Sequence, residues 1–304
     1  MTLKRLGGVW APAITPFRKD LSADPERFAR HARWLLENGC SGLAAFGTNS
    51  EANSLSVEER TTLLEYLVAH GVAAARLMPG TGCCALTDSV RLAAHAVGLG
   101  CAGVLMLPPF YYKGVSDEGL FRSFSEVIER VGDPRLRLYL YHIPPVAQVG
   151  ISIPLIERLL KRYPQTVAGI KDSSGDWNNT KAVLQAFAST GFEVFAGSEA
   201  FLLANMRHGG VGSISATANV NPAAIHQVFE NWREPDAGRM QEKITATRAV
   251  VQKYPMIPAL KAIVARGFGD AEWATVRPPL VELSAGQRES LAAELDADGF
   301  TLAG

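Results

Sequence analysis

The segment Thr166-Val167-Ala168-Gly169-Ile170-Lys171-Asp172 places a single lysine at the end of a short apolar run. Runs of this length are typical of a strand covered on both faces, as in a parallel sheet. An ammonium group is costly in that setting unless it is paired or gives up its proton, and a neutral amine is a nucleophile. The segment therefore has two interpretations. Lys171 is an imine-forming nucleophile, or it simply reaches solvent or pairs with Asp172.

The same apolar signal recurs along the first 220 residues. Eight segments carry it: 8–17, 42–47, 76–80, 103–107, 136–143, 167–171, 192–196 and 212–217. Amphipathic segments of helical spacing lie between them, and Ser56-x-x-Glu59 is a capping box that predicts one helix start. Strands separated by helices pair in parallel, and eight such units predict an α/β fold of the closed (β/α)8, or TIM barrel, type rather than an open doubly wound sheet.

The remainder of the chain has helical patterns only, at 223–232, 237–253, 258–266 and 287–295. We therefore expect two parts. Residues 1–220 form the barrel that carries the active site, and residues 221–304 form a C-terminal helical bundle packed on it.

Composition argues against several functional classes. The 304 residues are 47% hydrophobic and 20% charged, as in ordinary globular proteins. Thirty basic and thirty acidic residues cancel, so the charge does not favour nucleic acid or an anionic membrane surface as a partner. No apolar run approaches the ~20 residues of a membrane-spanning helix. The start of the chain lacks the apolar region of a signal peptide, which, with four cysteines, predicts a reducing cytoplasmic location.

The six histidines show no H-x-H or H-E-x-x-H spacing and have no neighbouring cysteine cluster. We expect no metal site. No strand segment is followed by a G-x-G-x-x-G fingerprint, so a dinucleotide cofactor is not expected either.

In a (β/α)8 barrel the chemistry lies at the carboxyl ends of the strands. The polar residues predicted there are Thr15, Thr48, Asn49, Ser50, Glu51, Thr81, Tyr111, Tyr112, Tyr141, His142, Lys171, Asp172, Ser173, Ser198, Glu199, Thr217 and Asn219. Lys171 belongs to this ring. Taken alone, Tyr141 also fits an amphipathic ring at a strand end, and Glu199 also fits a solvated carboxylate at a helix start.

Four segments occur in the same order in one known family. They are Gly47-Thr48-Asn49-Ser50-Glu51, Tyr141-His142-Ile143-Pro144, Gly169-Ile170-Lys171-Asp172 and Gly212-Ser213-Ile214-Ser215-Ala216-Thr217-Ala218-Asn219. They resemble motifs of the dihydrodipicolinate synthase and N-acetylneuraminate lyase family, whose members are Schiff-base-forming lyases and aldolases. The resemblance runs almost end to end. It implies a barrel with a C-terminal helical bundle, pyruvate or another 2-oxo acid as substrate, no cofactor, and a homotetramer built from tight dimers.

By this resemblance Lys171 is the imine-forming lysine and Tyr141 is the proton shuttle. An amine that adds to a ketone gives a carbinolamine that must lose water, and a phenol that donates and recovers a proton speeds that step. Thr48 would connect Tyr141 to a second tyrosine, Tyr112, which the family supplies across a dimer interface.

The remaining roles concern binding. The turn containing Thr48 and Asn49 resembles the family's site for the substrate carboxylate, and Ile214 would place its backbone carbonyl near the imine. Glu199 occupies a position where N-acetylneuraminate lyases bind hydroxyl groups with an acidic residue, and Ser173 is a further candidate for hydroxyl binding.

The chain departs from the family at two places. Asn49 and Ser50 replace the threonine and glycine of the usual G-[ST]-T-G-E turn. Dihydrodipicolinate synthase also has an arginine shortly after its Y-N-V-P motif, which binds the carboxylate of its aldehyde substrate, whereas residues 145–153 here contain no arginine or lysine. We therefore predict a different second substrate, such as a 4-hydroxy-2-oxo acid whose hydroxyl groups meet Gln148, Ser173 and Glu199.

Several functions remain open at this point. The leading one is a class I lyase or aldolase that acts on pyruvate or a pyruvate-yielding 2-oxo acid. The runners-up are dihydrodipicolinate synthase itself and a sugar-acid dehydratase that uses the same lysine imine. From other classes come a metal-dependent barrel enzyme, which chelation would reveal, and a non-catalytic protein that binds 2-oxo acids.

Overall fold

The computed structural model describes residues 5–302, so residues 1–4 and 303–304, at the outer ends of the two predicted parts, lie outside it. Within that range one parallel sheet contains seven strands in the order β2-β1-β7-β6-β5-β4-β3. The strands are β1 Gly8–Ala11, β2 Gly42–Leu43, β3 Val104–Met106, β4 Leu138–His142, β5 Val167–Asp172, β6 Glu193–Ala196 and β7 Gly212–Ile214.

Residues 77–80 join the two edges of this sheet. Leu77 bridges to Leu43 in β2, and Gly80 bridges to Leu105 in β3. Hydrogen bonds from Met78 N to the Leu43 carbonyl (2.8 Å) and from Leu105 N to the Pro79 carbonyl (2.9 Å) complete the closure. The predicted (β/α)8 barrel is confirmed. The predicted strand at 76–80 is corrected to two isolated bridges, because Ala74–Arg76 is a 3-10 turn and Pro79 has no N–H to donate.

Other predicted strands are shorter than expected. The segment 8–17 is a strand only to Ala11, since Pro12 follows and the chain turns away from the ladder. The segment 212–217 ends as a strand at Ile214, because Ala216–Asn219 forms a 3-10 turn. The polar motif residues after these strands therefore lie in tight turns, where the chain reverses toward the next helix.

Helices separate the strands as predicted. Those of the barrel are α1 Pro25–Glu37, α2 Val57–Ala69, α3 Leu86–Gly98, α4 Asp117–Val131, α5 Pro144–Ala147, α6 Ile153–Arg162, α7 Trp177–Phe187 and α8 Leu202–Arg207. The C-terminal extension contains α9 Pro222–Glu230, α10 Ala237–Val251, α11 Met256–Gly267 and α12 Ala285–Ala297. The capping box at Ser56 and Glu59 is confirmed at the start of α2. Within residues 5–302, the helices all fall short of the length and apolarity that crossing a bilayer requires.

The apolar core has three layers. The largest lies between the strands and the surrounding helices. A second fills the barrel, with side chains drawn from around the ring: Trp10, Ala44, Met78, Leu105, Tyr139, Tyr141, Phe195, Val211 and Ile214. A third joins α10, α11 and α12 to Ile14, Ala216 and Val220 at the carboxyl ends of β1 and β7. The extension therefore packs against the end of the barrel where the strands have their carboxyl ends.

Candidate active site

Lys171 lies near the end of β5, paired in register with Tyr141 on β4 and with Phe195 on β6. Both of these neighbours belong to the cluster that fills the barrel, whereas Ile170 belongs to the outer layer, so the alternation along the strand turns Lys171 inward. The side chain is 2% exposed. Its Nζ lies 4.2 Å from the centre of the Tyr141 ring. The lysine and the tyrosine that the sequence singled out are therefore neighbours.

Asp172, which sequence reasoning offered as a possible partner for Lys171, is engaged elsewhere. Its carboxylate accepts hydrogen bonds from Ser174 N (2.9 Å), Asn179 Nδ2 (2.9 Å) and Thr180 Oγ1 (2.7 Å). Among residues 5–302 no acidic side chain forms an ion pair with Lys171. Lys171 is therefore buried within the barrel without an acidic partner among the described residues.

Tyr141 is held by Thr48. The two hydroxyl oxygens are 3.1 Å apart, and either can donate. Tyr141 is buried and Thr48 half-buried, so the hydroxyl pair lies at the inner edge of the barrel mouth. A phenol that both donates and accepts hydrogen bonds can move a proton to or from a group on Lys171.

The turn that contains Thr48 has an unusual backbone. Phe46 (φ 59°) and Glu51 (φ 54°) are both left-handed, which is uncommon for residues other than glycine. Inside the turn, Ser50 N donates to the Gly47 carbonyl and Glu51 N to the Thr48 carbonyl. The Thr48 and Asn49 N–H groups have no acceptor within residues 5–302. Adjacent free N–H groups in such a turn form an anion-binding nest.

His142 stabilises the next loop. Its Nδ1 accepts a hydrogen bond from Ile151 N (2.9 Å), so the ring's proton lies on Nε2 in the neutral form. Burial lowers the pKa of His142, and the nearby Asp172 carboxylate opposes that shift. The histidine therefore holds the 143–151 loop in place while neutral.

Tyr112 does not join the other site residues within one chain. Its side chain is 71% exposed, and its ring packs edge-on against Tyr111 with ring centres 5.5 Å apart. Two adjacent exposed tyrosines make a small apolar patch on the loop that follows β3. Such patches are enriched in protein interfaces.

Glu199 is buried, not solvated. Its Oε2 lies 2.6 Å from Arg248 Nη1 on α10 and accepts a short hydrogen bond from the Ser215 hydroxyl. Ser215 directly follows Ile214, so the pair lies beside the seventh strand end. This carboxylate therefore ties the barrel to the extension. Ser173 is half-buried against Gly197, where an added Cβ would lie 2.0 Å from the Ser173 hydroxyl.

Sequence reasoning missed two cations near the strand ends. Lys113 follows Tyr112 directly, and its Nζ donates to the carbonyl of Ala147 (2.8 Å) and to that of Phe110. It brings a positive charge to the loop where residues 145–153 have none. The sequence feature that could have drawn attention to Lys113 is its position directly after two tyrosines. Lys261, on α11, forms a buried ion pair with Glu51, and the 210 positions between them left no signal.

No group of three or more histidine, cysteine or acidic side chains suited to a metal ion occurs in residues 5–302. A cleft of about 810 Å³ lies in the extension, lined by residues of α11, α12 and the segment 300–302. It shares no residue with the ring of strand ends.

Comparison with known proteins gives a consistent result. The sequence model of the Dihydrodipicolinate synthetase family matches residues 5–298. A DapA-like lyase of Chloroflexus aurantiacus is 33% identical over 279 residues, which is 91% of this chain and 92% of the relative.

Two solved structures are also similar. Dihydrodipicolinate synthase from Agrobacterium tumefaciens superposes with a TM-score of 0.89 at 33% identity, over 96% of this chain and 99% of the other. The chloride-inhibited dihydrodipicolinate synthase from Acinetobacter baumannii, complexed with pyruvate, gives a TM-score of 0.87 at 27% identity, over 96% and 99% of the two chains.

Proposed function

The chain belongs to the dihydrodipicolinate synthetase family and is a lyase, and from that premise we propose that it holds pyruvate, or the pyruvate unit of a larger 2-oxo acid, as an imine on Lys171. The observation that carries the proposal is the buried Lys171 Nζ, which has no acidic partner among residues 5–302 and lies 4.2 Å from the centre of the Tyr141 ring. The pyruvate complex of the Acinetobacter baumannii relative supports the choice of ligand.

The reaction follows from these groups. The Lys171 amine adds to the substrate C2 carbonyl, and the resulting carbinolamine loses water when Tyr141 gives a proton to the leaving hydroxyl. In the cleavage direction the C4 hydroxyl loses a proton, the C3–C4 bond breaks, and its electron pair passes to the iminium as an enamine. The aldehyde leaves, the enamine takes a proton at C3, and water releases pyruvate and the free amine.

The substrate carboxylate binds at the turn formed by residues 47–51. The Thr48 and Asn49 N–H groups, which have no acceptor among the described residues, support this role, because a nest of backbone donors favours a carboxylate and needs no cationic side chain. Thr48 then serves twice, since its hydroxyl also holds Tyr141. Ile214 contributes its carbonyl beside the imine, as in the family.

The second substrate is the open part of this assignment. A 4-hydroxy-2-oxo acid is the leading candidate, because residues 145–153 lack the arginine that an aldehyde carboxylate would need and Gln148 and Ser173 offer hydrogen bonds to hydroxyl groups. The runner-up is dihydrodipicolinate synthase activity, favoured by the 33% identical Agrobacterium tumefaciens enzyme. A dehydratase of sugar-derived 2-oxo acids would use the same lysine imine.

The proposed enzyme is a cytoplasmic homotetramer built from tight dimers and needs no metal. The exposed Tyr112 supports the dimer, because it forms no hydrogen bond with Thr48 within residues 5–302 and the family supplies this tyrosine from a neighbouring chain. Activity that survives chelating agents would fit this proposal, and its loss would favour the metal-dependent barrel enzyme.

Borohydride trapping tests the proposal. Pyruvate followed by borohydride should add a reduced pyruvate adduct to Lys171, since only an imine is reduced to a stable amine. Lys171→Ala should abolish the adduct, and Lys181→Ala on α7 is the matched lysine control. An unchanged mass would overturn the mechanism. An adduct without turnover of any 2-oxo acid would favour a non-catalytic binding protein.

A further inference from the structure

We propose that the buried ion pair between Glu51 and Lys261 is a positioning device for the substrate carboxylate, which makes the C-terminal extension part of the active site. The inference rests on the proposed role of the 47–51 turn. Glu51 closes that turn, and Lys261 reaches it from α11. Neither residue touches the reacting atoms in this proposal.

Both members of the pair are sealed from solvent. Each side chain is 0% exposed, and the Lys261 ammonium contacts Glu51 Oε1. The ammonium also donates to the Thr275 carbonyl (2.7 Å) and lies 4.4 Å from the centre of the Phe17 ring. The other carboxylate oxygen, Oε2, accepts from Arg277 N (3.0 Å). Two segments of the extension, at Lys261 and at Arg277, therefore contact the Glu51 side chain of the barrel.

These contacts hold the Glu51 side chain, whose own backbone is in an unfavourable conformation. Glu51 has a left-handed backbone (φ 54°, ψ 37°), which side chains with a Cβ rarely adopt and which persists only where the surroundings impose it. Its N–H is hydrogen-bonded to the Thr48 carbonyl at 3.1 Å. Any movement of Glu51 is thus passed to the peptide that follows Thr48, whose N–H belongs to Asn49.

A purely structural explanation of the pair is weak on energetic grounds. Replacing a buried ion pair with uncharged residues of similar volume is often neutral or stabilising, so such pairs are poor stabilisers of a fold. The same chain supplies a comparison. Arg137 and Glu193 form another largely buried pair (2.8 Å), and Glu193 begins β6 at the end of the barrel opposite Lys171. A role in the fold predicts similar effects at both places, whereas positioning predicts an effect on pyruvate only at Glu51.

The experiment uses the full chain and measures the pyruvate concentration that half-saturates borohydride trapping, together with kcat, KM and the melting temperature. The variants are Glu51→Gln, Lys261→Met and the two combined, with Glu193→Gln as the matched control. Glu51→Gln keeps the size of the side chain and an acceptor for Arg277 N, so it is the variant of choice if Lys261→Met does not fold.

We expect Glu51→Gln and Lys261→Met to raise the half-saturating pyruvate concentration about 10- to 100-fold, the range for one or two misplaced hydrogen bonds to a charged group, with kcat changed much less. The combined variant should bind pyruvate better than Lys261→Met alone, because it leaves no unpaired carboxylate. Glu193→Gln should lower only the melting temperature.

The experiment distinguishes a failure of the proposed function from a failure of the positioning role. A wild-type protein that pyruvate and borohydride do not label overturns the proposed function. A labelled wild type with folded Glu51 and Lys261 variants that keep its half-saturating concentration overturns the positioning role alone. An equal loss of pyruvate binding in Glu193→Gln would also overturn it, since the effect would then be a general one of destabilisation.

Discussion

The Tyr141 ring centre lies 4.2 Å from the Nζ of Lys171, so the phenol that is hydrogen-bonded to Thr48 also presents its aromatic face to the lysine. In the proposed mechanism the ring contacts the amine, and the hydroxyl gives a proton to the leaving hydroxyl of the carbinolamine. Removing the Tyr141 hydroxyl while keeping the ring should therefore separate the effect of the proton donor from that of the aromatic contact.

Tyr141→Phe keeps the ring and removes the proton donor. We expect turnover to fall by roughly 10²–10⁴, the usual range for lost general acid–base help, while the folded barrel still forms the imine slowly. Tyr139→Phe is the matched control, because that hydroxyl is bonded to Glu193 and not to the site. Steady-state kinetics and the rate of borohydride labelling measure both, and normal turnover in Tyr141→Phe would remove the residue from the mechanism.

Tyr112 should act across a subunit interface. We expect Tyr112→Phe to lower kcat more than it changes KM, as for a group used in proton transfer. Mixing Tyr112→Phe with Lys171→Ala subunits should restore activity, up to about a quarter of the wild-type value, because in a two-fold dimer only mixed pairs contain one complete site. Solution scattering should show at least a dimer. A fully active monomer, or no recovery on mixing, would contradict the shared site.

Dihydrodipicolinate synthase activity should be poor. Without a bidentate cation in residues 145–153, transition-state binding of the aldehyde carboxylate should weaken by ~2–5 kcal/mol, or roughly 30- to several-thousand-fold in kcat/KM. The measurement compares pyruvate plus aspartate semialdehyde with cleavage of 4-hydroxy-2-oxo acids, read by released pyruvate. Arginine at Val146, Ala147 or Gln148 should raise the semialdehyde reaction, and Val146→Arg and Gln148→Arg are the preferred variants because Ala147 is buried. A clear preference of the wild type for the semialdehyde would overturn the assignment, and Lys113→Met would then show whether the Lys113 ammonium replaces the arginine.

His31 should make the fold sensitive to acid. The ring is fully buried beside Trp273, its Nε2 lies 3.3 Å from Asn219 Oδ1, and burial lowers its pKa to about 4. The unfolded chain takes up a proton near pH 6.5, so between pH 6.5 and 4 the unfolded state binds more protons and stability falls as the pH is lowered. Relative to His31→Gln, the wild type should lose about 3 kcal/mol of unfolding free energy over that range. Parallel curves of denaturation against pH for the two proteins would refute this.

Local patterns predicted the parts of this molecule that local physics controls. The apolar run before Lys171 became β5, and Ser56 opened α2, since burial and capping depend on residues close together in the chain. The strand ends were less predictable. Residues 76–80 have strand composition but form only two bridges, because pairing depends on partners that local composition does not identify.

Contacts between distant residues explain what was missed at the site. The sequence left Glu199 open between a hydroxyl-binding acid and a solvated carboxylate. In the folded chain it forms a buried ion pair with Arg248, which lies 49 positions away. The Lys113 ammonium donates to the carbonyl of Ala147, which lies 34 positions further along the chain. A search for cations within residues 145–153 therefore does not find it. Polar contacts between residues that are far apart in the chain have no characteristic sequence spacing, so they cannot be recognised from a single sequence.

The barrel closes at residues 77–80, and the candidate site residues lie at different distances from this closure around the rim. The turn of residues 47–51 follows β2 on one flank of this junction, and the Tyr111–Tyr112 loop follows β3 on the other. Lys171 on β5 is separated from the junction by β3 and β4. The junction is joined by isolated bridges where the other strands share ladders. The barrel wall is therefore least extensively paired at this junction, whereas Lys171 lies on a strand that shares ladders with both of its neighbours.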